Sequence, residues 1–236
     1  MDYQQIFKRY EIKYLLSMQE KEFILEIMKP YMRLDKYGHS TIRNVYFDTD
    51  TFRLARRSLE KPVYKEKLRV RSYKAAKGND NVFVELKKKY KSVVYKRRLV
   101  LAESKARECF QKDIPLPVSS QIANEIEYFR NYYKPLYPKV FISYEREAYE
   151  TIDGSDFRVT FDENILYRED DFSFASGIYG TPVLNEGEVL MEIKTPGAIP
   201  LWLGRKLTEM KVFKTSFSKY GLAYQDILKS GGLKYA

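Results

Sequence analysis

KLRVRSY, residues 67–73, alternates cation with apolar residue. Successive side chains of a β-strand point to opposite faces, so Lys67, Arg69 and Arg71 share one face and Leu68 and Val70 the other. Three like charges side by side repel each other, and the arrangement becomes favourable only against an anion. The pattern recurs along the chain. RYEIKY sets Glu11 and Lys13 opposite Ile12, and NVFVELKKKY sets Glu85, Lys87 and Lys89 opposite Val84 and Leu86. DFRVTFDEN sets Arg158 and Asp162 opposite Phe157, Val159 and Phe161. VLMEIKT sets Glu192 and Lys194 opposite Met191 and Ile193. VFISYEREAY adds Arg146, and VVYKRRLVL adds Lys96, Arg97 and Arg98, where parity leaves Arg97 and Arg98 open and Arg98 is preferred.

Strands are expected at 6–15, 42–48, 65–73, 81–89, 92–102, 139–150, 156–162 and 187–195, with no regular strand–helix alternation. AAKGND (75–80) reads as a turn and DIPLPVSS (113–120) as a loop. Three segments read as helix. SMQEKEFILEIMKP has Ser17 and Glu20 at capping-box spacing and an apolar stripe of Phe23, Ile24 and Ile27. SSQIANEIEYFRNYY begins at a serine cap and aligns Ile122, Ile126 and Phe129. PLWLGRKLTEM places Pro200 at the first helical position and packs through Trp202, Leu203, Leu207 and Met210. The expected class is α+β: an antiparallel barrel of about eight strands with helices outside. An ordinary sheet with one wet face would explain the alternation too, but its charges would mix both signs. If the sheet closes, the charged faces share one lumen. Such a lumen is tolerable when it is hydrated and holds a polyanion such as a chain of phosphates.

Composition narrows the chemistry. The chain of 236 residues carries a formal charge of +10, which favours an anionic partner. A single histidine excludes a multi-histidine metal site and makes a histidine-based triad implausible; His39 reads as a loop residue. A single cysteine, Cys109, forms no intrachain disulfide, points to a reducing compartment and reads as a packing residue. No apolar run approaches the ~18 residues of a membrane span, and MDYQQIFKRYEIKY lacks a signal-peptide core, so a soluble cytoplasmic protein is expected. Asp48 and Asp50 in NVYFDTDTF read as a strand end and turn, since no EF-hand loop follows. Strand aromatics such as Phe83, Phe157 and Phe161 are placed on the apolar side, which argues against nucleic acid as the partner.

The ordered set KRYEIKYLL, NVYFDTDTF, KLRVRSY, VFVELKKK, YKRRLVL, ISYEREAY, FRVTFDENI, VLMEIKT and KTSFSKYG resembles the VTC-type polyphosphate polymerase domain. That domain lies within the triphosphate tunnel metalloenzyme (CYTH-like) group. The resemblance spans almost the whole chain and implies one tunnel domain over residues 1–236. Its first strand reads Glu11-Ile12-Lys13 where triphosphatases of the group have Glu-x-Glu, which suits the polymerase branch. The implied activity is ATP-dependent extension of inorganic polyphosphate with Mn²⁺ or Mg²⁺; the alternatives are a triphosphatase of the same fold and a non-catalytic polyphosphate-binding module. Eukaryotic relatives carry a phosphate-sensing domain and membrane helices. Neither is seen here, so a free catalytic domain is expected, and a membrane partner is left open.

The resemblance, with the guanidinium fork's match to phosphate oxygens, gives catalytic roles to Arg69, Arg71, Lys87, Arg146, Arg158, Lys194 and Lys219. Phosphate or ATP binding falls to Lys13, Lys67, Arg98, Lys214, Ser216 and Tyr220. The metal falls to Glu192, with Glu85 and Glu11 as second choices. No histidine is required, because phosphoryl transfer rests mainly on positioning and charge neutralisation, and a terminal phosphate needs no base to attack.

Overall fold

The computed structural model describes residues 6–60, 62–91 and 93–231. Ten strands form one sheet: β1 (Ile6–Ser17), β2 (Met32–Asp48), β3 (Tyr64–Ser72), β4 (Asn81–Tyr90), β5 (Val93–Ala102), β6 (Tyr137–Thr151), β7 (Arg158–Arg168), β8 (Thr181–Pro182), β9 (Glu188–Thr195) and β10 (Lys214–Thr215). The helices are α1 (Met18–Met28), α2 (Arg53–Leu59), α3 (Glu103–Gln111), α4 (Gln121–Tyr133), α5 (Leu201–Glu209) and α6 (Lys219–Lys229). Pairing runs β1-β5-β4-β3-β2-β6-β7, and β9 pairs with both β7 and β1, so eight antiparallel strands meet in a ring. Among the described residues β1 meets β5 from Ile6↔Arg97 to Arg9↔Val94. The two-residue strands β8 and β10 extend edges of β7 and β1.

Alternation decides which side chains go where. Leu68, Val70, Val84 and Leu86 pack outward against α3 and α4 through Ala106, Cys109, Ile122, Ile126 and Phe129. Phe157, Val159, Phe161, Met191 and Ile193 pack outward against α1 and α5. Each buried aliphatic or aromatic side chain contributes about 1.5–3 kcal/mol relative to exposure. Helices α1, α3, α4 and α5 therefore hold the barrel from outside and leave the polar parity to face in.

Several local expectations change. α1 has its capping box, with Ser17 accepting from Glu20 N and Glu20 accepting from Ser17 N. Its packing stripe is Lys21, Ile24 and Met28, while Phe23 is exposed, because the buried rows are spaced from Ile24 rather than Phe23. Pro200 is the N-cap residue of α5, one position before the helix. Phe83 shares parity with Glu85 and lies on the cavity wall. The aromatic argument against nucleic acid therefore rests on Phe157 and Phe161 alone.

One end of the ring has a helical floor. Tyr220, Ala223, Tyr224 and Ile227 of α6 pack on inward residues Ile42, Tyr46, Ile142 and Leu190. Tyr220 stacks on Tyr46 at 4.7 Å between ring centroids, and its hydroxyl donates to Asp48 Oδ2 at 2.8 Å. Asp48 also accepts from the amides of Thr49, Leu54 and Ala55, fixing α2 to the end of β2. Gly221 lies where α6 meets α2: a Cβ there would come within 2.8 Å of Leu59 Cδ2, so the Leu59 side chain would have to shift.

Candidate active site

The ring encloses a cavity of about 1740 Å³. This exceeds the ~300–1,000 Å³ usual for small-ligand pockets. It follows β3 along its length, with Lys65, Lys67, Arg69, Arg71 and Tyr73 all on its wall. At ~3.3 Å per residue, those eight steps measure roughly 26 Å along the strand. Ser58 and Leu59 of α2 and Leu222 and Gln225 of α6 line it at the floor. Cations outnumber carboxylates on the wall, and they gather around buried acids.

Glu85, fully buried, is one such centre. Arg69 donates to its Oε2 through Nε and Nη2 at 2.9 and 2.8 Å. Arg98 donates to its Oε1 through Nε at 2.8 Å, and Lys96 lies 3.4 Å from the same oxygen. Burial alone would raise the Glu85 pKa, but Arg69, Arg71, Lys96 and Arg98 outweigh it and hold the carboxyl well below its usual range. Arg69 reaches Tyr46 Oη through Nη1. Arg71 donates to Asn44 Oδ1 and Tyr144 Oη, both at inward positions.

The second centre joins Asp162 and Glu192. Arg146 donates to Asp162 at 2.5 and 2.6 Å and to Glu192 Oε2 at 3.2 Å. Lys219, at the start of α6, donates to Asp162 Oδ2 at 2.6 Å and Glu192 Oε1 at 3.3 Å. Glu11 lies beside them, accepting from Lys87 at 3.2 and 2.9 Å. Despite burial, Lys219, Lys13 and Arg146 keep Glu192 ionised far below the ordinary carboxylate range.

Arg69, Arg71, Lys67, Lys87, Arg98, Arg146, Arg158, Lys194, Ser216 and Lys219 line the cavity. Arg158 does so from an exposed position 3.6 Å from Glu150. Arg97 points out and pairs with Glu125 of α4. Lys214 is exposed and off the cavity wall, because alternation in β10 turns Thr215 inward instead. Tyr220 borders the cavity, but its hydroxyl is spent on Asp48, so it anchors α6 rather than offering a donor to phosphate. Lys13 lines the cavity with its ammonium already occupied by Glu11, Glu192 and the Phe217 carbonyl. Sequence reasoning missed Asp162, although its parity with Arg158 was visible. It also missed Tyr46, Tyr144 and Asn44, which orient Arg69 and Arg71 and whose only signal was inward parity on β2 and β6.

The three expected metal ligands, Glu11, Glu85 and Glu192, are each paired with cations in this structure. Among the described residues no group of three acidic, histidine or cysteine side chains is arranged to hold an ion. Glu11, Glu85 and Glu192 are each claimed by two or more cations. Most of the cations that neutralise these carboxylates come from other strands or from α6, and only Lys13 beside Glu11 is a neighbour on the same strand.

Two lysines are poised near neutrality. Burial, aided by Arg146 and opposed by Glu192, Glu11 and Asp162, brings Lys194 down to about 7. Burial, opposed by Glu85 and aided by Arg98, does the same for Lys96. Their folded values lie below 10.5, so the unfolded chain binds more protons between about pH 7 and 10.5. Folded-state stability from these groups therefore rises with pH across that window. A polyanion in the cavity reverses the balance by drawing protons in. Binding of inorganic triphosphate near pH 7.5 is expected to take up roughly one proton and to tighten as pH falls toward 6. Calorimetry in two buffers of different protonation enthalpy measures this; equal heats in both would refute it.

The family model of the VTC domain matches residues 8–228. The chain belongs to the VTC-domain family. Two solved structures share the fold of this VTC domain. One is a proposed adenylate cyclase from Bacillus halodurans, with 15% identity, TM-score 0.57, and coverage of 91% of this chain and 96% of that one. The other is a proposed adenylyl cyclase from Hippeastrum described as having a dominant triphosphatase activity, with 16% identity, TM-score 0.55, and coverage of 97% and 96%. The search of curated proteins found no match to this chain. None of its described helices is long and apolar enough to cross a membrane.

Proposed function

We propose that this VTC domain, taken as one cytoplasmic unit over residues 1–236, is an ATP-dependent polyphosphate polymerase. A terminal phosphate oxygen of the growing chain attacks the γ-phosphorus of ATP, the bond to the β-phosphate oxygen breaks, and ADP leaves. The observation that carries the reading is a cation-rich cavity of about 1740 Å³ that follows β3 from Lys65 to Tyr73, large enough for a run of phosphates beyond a single triphosphate. Arg69, Arg71 and Arg98 grip phosphate oxygens in a fixed geometry. Lys67, Lys87, Arg146, Lys194 and Lys219 neutralise charge around the transferred group. The attacking phosphate is already ionised and requires no base. Mn²⁺ or Mg²⁺ would enter as the counter-ion of the nucleotide phosphates, since the carboxylates here are engaged.

A triphosphatase is the second reading. It is favoured by the helical floor of α2 and α6, which suits a short substrate, and by the activity described for the Hippeastrum protein. Lys194 at about 7 would be its base for water. Incubation with ATP and Mn²⁺ or Mg²⁺, with and without a short polyphosphate primer, separates the readings on a gel. A ladder of lengthening chains with matching ADP, lost in Arg146→Ala, is the expected result. Orthophosphate without longer chains establishes the triphosphatase. Tight polyphosphate binding without turnover establishes a binding module.

A further inference from the structure

Lys13 sits in an unusual cage. Its Nζ lies 3.3 Å from Glu11 Oε1 and 3.2 Å from Glu192 Oε1, and it donates to the main-chain carbonyl of Phe217 at 2.9 Å. Two carboxylates and a carbonyl are the oxygen donors that a hard divalent ion takes. An ammonium has three protons, and all three are matched to an oxygen here. The cage is assembled from distant parts of the chain: β1 supplies Glu11 and Lys13, β9 supplies Glu192, and the turn before α6 supplies the carbonyl. The β1/β9 register sets it, since Lys13 faces Glu192 directly and Glu11 faces Lys194.

We infer that the Lys13 ammonium is a tethered cation filling the place of a divalent ion between Glu11 and Glu192, so that the cavity takes up a divalent ion only together with phosphate. A free ion would have to displace a cation that cannot diffuse away, beside Lys87, Arg146 and Lys219, which oppose further positive charge. Phosphate changes this balance by bringing negative charge and its own oxygens. The inference concerns the ion alone and holds whichever phosphoryl transfer the cavity performs.

Mn²⁺ binding tests it, followed by the electron paramagnetic resonance of the free ion and by calorimetry, in the absence of any phosphate. Wild-type protein is expected to show no stoichiometric site, and to acquire one when inorganic triphosphate is added. Lys13→Glu, which puts a third carboxylate in the cage, is expected to bind one Mn²⁺ without phosphate. Adding Glu192→Gln to that variant should weaken the site by about tenfold or more. If Lys13→Glu does not fold, Lys13→Met serves: Mn²⁺ should raise its melting temperature and leave wild type unmoved. One equivalent of Mn²⁺ bound by phosphate-free wild type, and weakened by Glu192→Gln, would overturn the inference. So would a folded Lys13 variant with no gain of metal. Triphosphate binding is measured in the same titrations, so failure of the polyanion cavity itself would show separately.

Discussion

Glu85→Gln is expected to lower stability by about 3–5 kcal/mol, the cost of breaking a buried ion cluster by removing one side of it. For a chain of this size each kcal/mol moves the melting temperature by about 2–4 °C, so a drop of roughly 6–20 °C follows. The reason is local. Arg69, Arg98 and Lys96 all contact this carboxylate, Arg71 lies 3.9 Å from it, and Glu85 is fully buried. Without it, mutually repelling cations remain with little water around them. The same logic predicts rescue: inorganic triphosphate should raise the melting temperature of Glu85→Gln by more than that of wild type, because it supplies the missing negative charge. Thermal unfolding with and without triphosphate measures both effects. A melting temperature within about 2 °C of wild type would show that the cluster does not hold the barrel together.

Arg69→Ala is expected to lower turnover by about 10²–10³-fold, the usual cost of removing a preorganised donor to developing charge. Three of the five guanidinium protons are spent, on Glu85 through Nε and Nη2 and on Tyr46 through Nη1. One proton remains on each terminal nitrogen, which leaves an end-on fork for a phosphate. Arg69→Lys is expected to recover little, since one ammonium cannot bridge Glu85, Tyr46 and a phosphate in that plane. Its stability loss should be smaller than that of Glu85→Gln, because Arg98 and Lys96 still neutralise the carboxylate. Steady-state turnover of ATP with each variant checks this, and Arg69→Lys at half of wild-type turnover or better would remove Arg69 from the reaction.

Much of this architecture is written in parity. Every ring strand except β2 overlaps a run in which charged and apolar residues alternate, and KLRVRSY already separates the wall of the cavity from the outer core. What alternation cannot express is partnership across the ring. The family resemblance implies Glu192 as a metal ligand; its engagement by Lys13, Arg146 and Lys219 appears only when β1, β6 and α6 are brought around it. The first half of β2 stays hidden because MRLDKYGHST has no alternation, its pairing with β6 being shifted between Leu34 and His39. Helix α3 stays hidden because Ala102, its N-cap residue, offers no side-chain cap. Helix α6 stays hidden because KTSFSKYG draws the eye to its polar residues, while its burial depends on an inward apolar patch assembled from β2, β6 and β9.

The tie between Lys13 and Phe217 spans 204 residues of chain. A ribosome delivers β1 first, and the strand then waits while nearly the whole ring is made before β9 and α6 reach it. A sheet still lacking β9 and α6 would be an open gutter with its positive side unroofed. Closure is therefore a late, long-range step, and such contacts slow folding. Carboxylates set among the cations do a second service in that interval: they let the gutter neutralise itself before any substrate is present.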